Sequence, residues 1–172
     1  MMYYTLSKLC LAGFTLLLTC GLAFGQTGHP TIYETAARQP EAGQFLKILK
    51  IAGLKGMLAE GGPYTLFLPN DQAINHLPEK KQQDLLENPD LARRFALDHL
   101  ITGKAVLYNL RTLPEAPTMG NLDLKIVLSA RHVLINNARL VKPDIEASNG
   151  VVHIIDRVLT DKQPVQLVQT AH

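Results

Sequence analysis

The last long apolar run of the chain, SNGVVHIIDRVLT at residues 148–160, constrains the fold most strongly. Val, Ile and Leu fill almost all of it, and an Asn-Gly turn precedes it. This pattern predicts a terminal strand over residues 151–159 in the core of the protein. Two polar residues, His153 and Asp156, interrupt the run. They are either a general base with its orienting carboxylate or two polar groups at the edge of a core strand.

The spacing of these two residues favours the structural alternative. Residues three apart on a strand point to opposite faces, so His153 and Asp156 cannot hydrogen-bond as a catalytic pair. We expect His153 on a half-buried sheet face and Asp156 bonded to backbone donors. Ser129 and Ser148 lack a Gly-x-Ser-x-Gly elbow, and no phosphate-binding glycine loop is present. The sequence therefore predicts no catalytic residues.

Helical patterns come before strand patterns along the chain. The first helix starts at a Thr31 to Glu34 capping box, the second ends at Gly53, and the turn 54–59 leads to a strand at residues 64–68. Asn70 caps a further helix, and another starts at Asn88, with Leu91, Phe95 and His99 on one face and Gly103 just beyond its end. From residue 121 the period becomes two, with Leu122, Leu124, Ile126 and Leu128 on one face, and Asn136-Asn137 marks a hairpin. This order predicts a single α+β domain over residues 26–172, with its core at 31–160 and a short tail at 161–172.

The first 25 residues have the composition of an export signal. Lys8 precedes an apolar stretch that ends in a small-x-small pattern, which predicts cleavage before Gln26 and a secreted or periplasmic protein. Two alternatives stay open: lipidation of Cys20, or an uncleaved N-terminal segment that anchors the chain to a membrane. We expect no membrane insertion once the signal has been removed.

Composition excludes several classes of partner and cofactor. Both cysteines, Cys10 and Cys20, lie in the signal, so we expect no disulfide, cysteine nucleophile or thiolate metal site. The net charge of +2 without a Lys/Arg block argues against nucleic acid. His76, His99, His132 and His153 lack the close spacing of metal ligands. We therefore expect no metal and no cofactor.

Three segments, taken in order, resemble the fasciclin-like domain family. YTLFLPNDQAI at residues 64–74 is similar to its first motif, and SNGVVHIIDRVL at 148–159 is similar to its second. FALDHLITGK at 95–104 occupies the place of the family's Tyr-His segment, and the opening helices match as well. The resemblance covers residues 31–160. Leu68, Ile74 and Asp98 depart from the usual Ala, Phe and Tyr.

The resemblance implies an antiparallel β-wedge or sandwich packed with several helices. It also implies an adhesion or interaction module of exported proteins that has no general catalytic role. The short signal and the single compact domain indicate a bacterial source. The motif positions that it implies to be structural are Thr65, Phe67, Pro69, Asn70, His99, Asn149, Gly150, His153 and Asp156.

Partner recognition is implied at two places. In animal matrix members of the family, the stretch equivalent to VKPDIEASNG contains a Glu-Pro-Asp-Ile-Met-like sequence proposed to engage integrins, and Pro143, Asp144 and Ile145 match it. The alternative is that these residues only shape the loop before the last strand. Asp98 and His99 stand at the Tyr-His position and are the other candidates, although Asp98 replaces the tyrosine.

The leading hypothesis is a non-enzymatic exported domain that binds an extracellular or cell-surface protein or polysaccharide through exposed loops. One alternative is a cell-envelope carrier of small ligands, or a hydrolase, that uses His99 or His153 near a cleft. A second alternative is a structural envelope protein that self-associates, since the sequence does not indicate an oligomeric state.

Overall fold

The computed structural model describes residues 28–128 and 132–160, which form an α+β domain. The predicted export signal with both cysteines, Ser129 and the tail at 161–172 lie outside the described residues. The helices are α1 (Ile32–Ala37), α2 (Gly43–Ile51), α3 (Lys55–Glu60), α4 (Asp71–Asn75), α5 (Glu79–Glu87), α6 (Pro89–Leu97) and α7 (Leu107–Leu110), with a 3₁₀ turn at Pro40–Ala42. The strands are β1 (Tyr64–Pro69), β2 (Leu100–Thr102), β3 (Glu115–Pro117), β4 (Asp123–Leu128), β5 (Val133–Ile135), β6 (Ala138–Ala147) and β7 (Gly150–Ile155).

The strands of the described residues form one nearly barrel-shaped mixed sheet in the order β2-β1-β7-β6-β5-β4-β3. The predicted α+β class is confirmed, but the sheet is not wholly antiparallel. Strand β7 pairs in parallel with β1, with Tyr64 opposite Gly150 and Phe67 opposite His153. The two motifs of the sequence therefore lie side by side in the sheet.

Local signals in the sequence placed several element boundaries correctly. Both bonds of the capping box are present: Thr31 N–H donates to the Glu34 carboxylate over 2.9 Å, and Glu34 N–H donates to the Thr31 hydroxyl over 3.3 Å. Asn70 caps α4, Gly53 follows α2 at φ 66°, and Asn136 turns the β5–β6 hairpin at φ 53°. Each of these signals depends on a few neighbouring residues, so tertiary context did not override it.

Other elements differ from the prediction. The segment expected to be a turn at 54–59 is mostly helix α3, and helix α5 was not predicted. Gly103 was expected just beyond the end of the helix, but strand β2 lies between α6 and Gly103. The terminal strand ends at Ile155 rather than at residue 159. Leu91 was expected on a buried helix face with Phe95, yet 46% of it is exposed. Neither α3, with a glycine inside it, nor α5, which is largely polar, shows a clear apolar stripe.

Strands β1 and β7 are each buried on both faces, and this divides the core into two clusters. Leu66 and Leu68 of β1 pack with the helices, while Phe67 between them packs with residues of β4, β5 and β6 on the other side. Burial on both faces explains why β7 reads as a continuous apolar run rather than an alternating one. The alternation predicted for β4 holds at Leu124, which is buried, and is lost at Leu128, which is exposed. Among the described residues, no helix is long and apolar enough to span a lipid bilayer.

Candidate functional site

The turn before β7 fixes three separate segments of the chain. The Asn149 side chain accepts from Ile32 N–H over 2.8 Å and donates to the carbonyls of Leu58 and Gly61 over 2.9 and 2.6 Å. Gly150 follows at φ 153°, and a side chain there would collide with the Tyr64 carbonyl. Asn149 and Gly150 therefore join the ends of α1 and α3 to the start of the sheet.

His153 connects β7 to the loop before α7 and to the neighbouring strand β6. Its ring is fully buried and stacks on Phe67 with 5.6 Å between ring centres. Nε2 lies 2.8 Å from the Ala105 carbonyl, and Nδ1 lies 3.1 Å from the Asp144 backbone nitrogen. Burial lowers the pKa of His153, and this outweighs the opposing effects of the Ala105 bond and the Asp144 carboxylate. The expected half-buried position is thus corrected to a fully buried one.

Opposite His153, strand β6 contains a β-bulge. The pairing with β7 shifts between Lys142 and Ile145, so Pro143 and Asp144 together stand opposite His153. Asp144 has φ 56°, a left-handed conformation that Asp tolerates better than most residues. In this bulge the Asp144 N–H donates to the His153 ring, and the Asp144 carboxylate lies within bonding distance of Leu107.

The bulge is linked to helix α7 by the Asp144 carboxylate. Its Oδ1 accepts from the Leu107 N–H over 2.8 Å, at the first residue of that helix. Tyr108 comes next on α7, and 77% of it is exposed. We call residues 143–145 together with α7 the Asp144 corner. Sequence reasoning missed Tyr108, since a four-residue helix has no periodic pattern to detect.

The loop that enters α7 is held from the sheet side by Thr65. The Thr65 hydroxyl is buried, donates to the Gly103 carbonyl over 2.7 Å and accepts from the Ala105 N–H over 2.8 Å. Ala105 is thus bonded through its N–H to Thr65 and through its carbonyl to His153. The base of the Asp144 corner is anchored independently of the bulge.

The motif residues Asn70 and Asp156 lie at the opposite end of strands β1 and β7 from Asn149 and Gly150. Asn70 N–H donates to the Ile155 carbonyl over 3.0 Å, which continues the pairing of Pro69 with Ile155. The Asp156 carboxylate accepts from the Arg139 N–H over 2.7 Å and forms an ion pair with the Arg139 guanidinium at 3.3 Å. Asp156 bonds to a backbone donor as expected, and it lies just beyond β7.

His99 is buried among aromatic rings on the helix side of the sheet. Its ring centre lies 5.1 Å from that of Phe45 and 4.8 Å from that of Phe95. Nδ1 lies 2.8 Å from the Phe95 carbonyl, and Nε2 accepts from the Leu159 N–H over 2.9 Å. Burial, opposed by the bond to the Phe95 carbonyl and helped by the charge of Lys81, lowers the pKa of His99 to about 4. Both ring nitrogens are engaged with backbone groups.

An open groove of about 460 Å³ lies between α5 and α6. Leu85 and Phe95 form its buried floor, and Leu91 and Pro78 form part of its sides. Asp98, at the end of α6, also lines it, but neither His99 nor His153 does. No cluster of His, Cys, Asp and Glu suited to a metal ion occurs in the described parts of the chain.

Comparison with known proteins identifies the family to which this fold and its motifs belong. Residues 40–161 match the sequence profile of the fasciclin domain. The chain belongs to the fasciclin family. It is 31% identical over 131 residues to the uncharacterized protein sll1735 of Synechocystis, covering 76% of this chain and 97% of that one. It is 30% identical over 131 residues to protein sll1483 of the same organism, covering 75% and 72%.

The fold is shared with a solved fasciclin structure. A FAS1 domain pair from the insect cell adhesion molecule Fasciclin I superimposes with a TM-score of 0.71 at 18% identity, covering 80% of this chain and 53% of that one. Fasciclin domains occur in adhesion and cell-surface proteins, and the family is typically non-catalytic.

Proposed function

We propose that this fasciclin domain is an exported, non-enzymatic adhesion module that binds an extracellular or cell-surface protein through the Asp144 corner. A polysaccharide is the alternative class of partner. The single observation that carries the proposal is the hydrogen bond from the Asp144 carboxylate to the first residue of α7, the helix on which Tyr108 is 77% exposed. Tyrosine is enriched among the residues that dominate binding energy at protein interfaces.

The same geometry assigns different tasks to the residues of the corner. Asp144 uses one carboxylate oxygen on the Leu107 N–H, so it positions α7, although 41% of its side chain remains exposed. Pro143 is exposed, and Ile145 is partly buried against the core. Pro143 and Tyr108 are therefore the proposed contact residues.

The two candidates at the Tyr-His position contribute less to the proposed surface. His99 exposes none of its surface, so it is left out of the proposed contacts. Asp98 lies at the end of α6 on the groove and forms a second, separate candidate position. Non-enzymatic action is proposed because His99 and His153 each direct both ring nitrogens to backbone groups, leaving neither nitrogen for a substrate.

The test is binding of the purified protein to immobilised matrix proteins, cell-surface proteins and glycans. We expect saturable binding to a protein that weakens about tenfold or more in Tyr108→Ala. The control is Leu86→Ala, which truncates an apolar side chain on α5 that is 49% exposed and lies outside the Asp144 corner, and this variant should bind normally. Saturable binding to no member of the panel, or equal binding by both variants, would contradict the proposal. Light scattering on the unbound protein separates partner binding from self-association.

Carriage of a small apolar ligand is a second candidate, and the α5–α6 groove favours it. A volume of about 460 Å³ falls in the range of small-molecule sites, and the floor is apolar. The probe is 8-anilinonaphthalene-1-sulfonate, whose fluorescence rises in apolar sites. Leu91→Glu should abolish the rise while Leu86→Glu retains it, because 46% and 49% of these leucines are exposed but only Leu91 lines the groove. Equal signals from both variants would rule out the groove.

A further inference from the structure

The bonds of His153 define its protonation state at neutral pH. The Ala105 carbonyl can only accept, so the Nε2 that lies 2.8 Å from it carries the hydrogen. The Asp144 N–H can only donate, so the Nδ1 that lies 3.1 Å from it is unprotonated. The bulge is therefore bonded to a neutral imidazole.

The Asp144 carboxylate stands close to that imidazole but is bonded elsewhere. Its Oδ1 lies 3.9 Å from Nδ1 and 2.8 Å from the Leu107 nitrogen. Two acceptors cannot hydrogen-bond to each other, so the carboxylate caps α7 as long as Nδ1 has no proton. One residue thus contacts both His153, through its N–H, and α7, through its carboxylate.

Protonation of Nδ1 reverses this arrangement. The new N–H would point at the N–H of Asp144, and the bulge would lose its acceptor. The Asp144 carboxylate, whose Oδ1 lies 3.9 Å from Nδ1, can accept from the imidazolium, and a shift of about 1 Å toward the ring closes that bond and lengthens the bond to Leu107. The bond to Ala105 survives, because Nε2 is a donor in both states.

The main charge interaction of the His153 ring is the one with the Asp144 carboxylate. From β6 the ring faces the Asp144 carboxylate, from β1 it faces the uncharged Phe67 ring, and from the loop before α7 it faces the Ala105 carbonyl. The nearest charged residues along those two segments are Lys104, Lys142 and Glu146. Lys104 and Glu146 pair with each other at 3.3 Å, and the Lys142 ammonium donates to the Gln39 side chain over 3.0 Å.

We propose that the Asp144 corner is gated by protons: protonation of His153 transfers the Asp144 carboxylate from Leu107 to the imidazolium and releases α7 with Tyr108. The release is local, because Thr65 and His153 keep Ala105 in place. Acid would then weaken partner binding without unfolding the domain. The link to binding rests on the proposed function, whereas the structural transfer does not.

The test is a nuclear magnetic resonance titration of the purified protein from about pH 7.5 to about pH 5. This window stays above the pKa of His99, which burial lowers to about 4, so the His99 ring should remain neutral. We expect the amides of Leu107 and Asp144 to shift with the same midpoint as the His153 ring. Protection of the Leu107 amide from hydrogen exchange should fall about tenfold, while the Leu159 amide stays protected.

Two variants separate the transfer from general acid effects. Asp144→Asn keeps an oxygen for the Leu107 N–H but removes the charge, so the His153 midpoint should move to lower pH and Leu107 should remain protected. Glu146→Gln removes another exposed carboxylate of β6 that does not contact His153, and it should titrate as the unmodified protein does.

The outcomes distinguish this proposal from the proposed function. A Leu107 amide that stays fully protected while the His153 ring titrates overturns the transfer, as does a His153 ring that remains neutral throughout the window. An unchanged midpoint in Asp144→Asn also overturns it. If the carboxylate transfers but no partner binds saturably, the gate stands and the adhesion role is overturned. If partner binding does not change with pH and the Leu107 bond stays intact, only the gate is overturned.

Discussion

The two buried histidines hold two different regions together by the same chemistry. His99 donates from Nδ1 to Phe95 and accepts at Nε2 from Leu159, whereas His153 donates from Nε2 to Ala105 and accepts at Nδ1 from Asp144. Each ring joins two backbone segments that are distant in sequence or in the sheet. The difference is in the charged neighbours: Lys81 acts on His99, and the Asp144 carboxylate acts on His153.

This difference distinguishes the helix-side core from the Asp144 corner. A positive charge near His99 opposes protonation, so burial and Lys81 act in the same direction and the helix-side core stays neutral. A carboxylate near His153 favours the imidazolium, so burial and charge oppose each other next to an exposed corner. Of the two rings, His153 is therefore the one with a neighbouring charge that offsets part of the effect of burial.

The largest expected effect is loss of the His99 side chain. His99→Ala leaves a cavity beside Phe45 and Phe95 and removes the partners of the Phe95 carbonyl and the Leu159 N–H, so we expect the free energy of unfolding to fall by about 3–5 kcal/mol. Urea denaturation measures it. His76→Ala, at an exposed histidine, should stay within about 0.5 kcal/mol. A similar small change in both variants would show that His99 does not hold the helix-side core.

Acid should destabilise the whole domain through the same residue. The pKa of His99 falls from 6.5 in the unfolded chain to about 4 in the fold because burial disfavours the charged ring. The unfolded state therefore binds the proton first, and stability that is complete above pH 6.5 is lost as the pH falls toward 4. We expect a loss of about 3 kcal/mol across this window, measured by denaturation at several pH values. In His99→Gln the slope should decrease, and an unchanged slope would assign the acid sensitivity to other groups.

Changes at Asp144 should cost less, because the residue is partly exposed. Asp144→Ala loses the bond to Leu107 and places a β-carbon without polar support at φ 56°, for a loss of about 1–2 kcal/mol. Asp144→Gly loses the same bond but tolerates the backbone, so it should be less destabilised by about 1 kcal/mol. Denaturation of both variants at neutral pH separates the two contributions. Equal losses would show that backbone conformation contributes nothing at the bulge.

The smallest expected change in stability is at Tyr108. Because 77% of the residue is exposed, Tyr108→Phe and Tyr108→Ala should both unfold within about 0.5 kcal/mol of the unmodified protein. A large loss in thermal denaturation would show that Tyr108 supports the core, and its proposed role as a contact residue would then fail.

The elements that sequence reasoning predicted correctly are the ones specified by short-range chemistry. The Thr31 capping box, the Asn70 cap and the left-handed Gly53 each require only a turn of chain to act. Helix α5 shows the opposite case: in EKKQQDLLE only Leu85 is buried, so its helical face is defined by the groove and α6 rather than by its own pattern.

The candidate site was predicted in part. The resemblance of VKPDIEASNG to matrix proteins indicated residues 143–145, and the polar residues of the last strand were expected to be structural. The contact between Asp144 and Leu107 spans 37 residues, so no local signal in the sequence indicates it. The position of Tyr108 on α7 was missed with it, and the tautomer of His153 was missed because it depends on bonds to Ala105 and Asp144, which are also distant in sequence.

The sequence by itself determined the fold family, the two motifs and the capped helix starts, because these follow from hydrophobic period and from hydrogen bonds between near neighbours. Only the tertiary structure decided that β1 and β7 pair in parallel and that Asp144 faces both His153 and α7. Those arrangements depend on which distant segments share the same buried space. Burial and neighbouring charge, where these distant segments contact each other, give the two histidines their different roles.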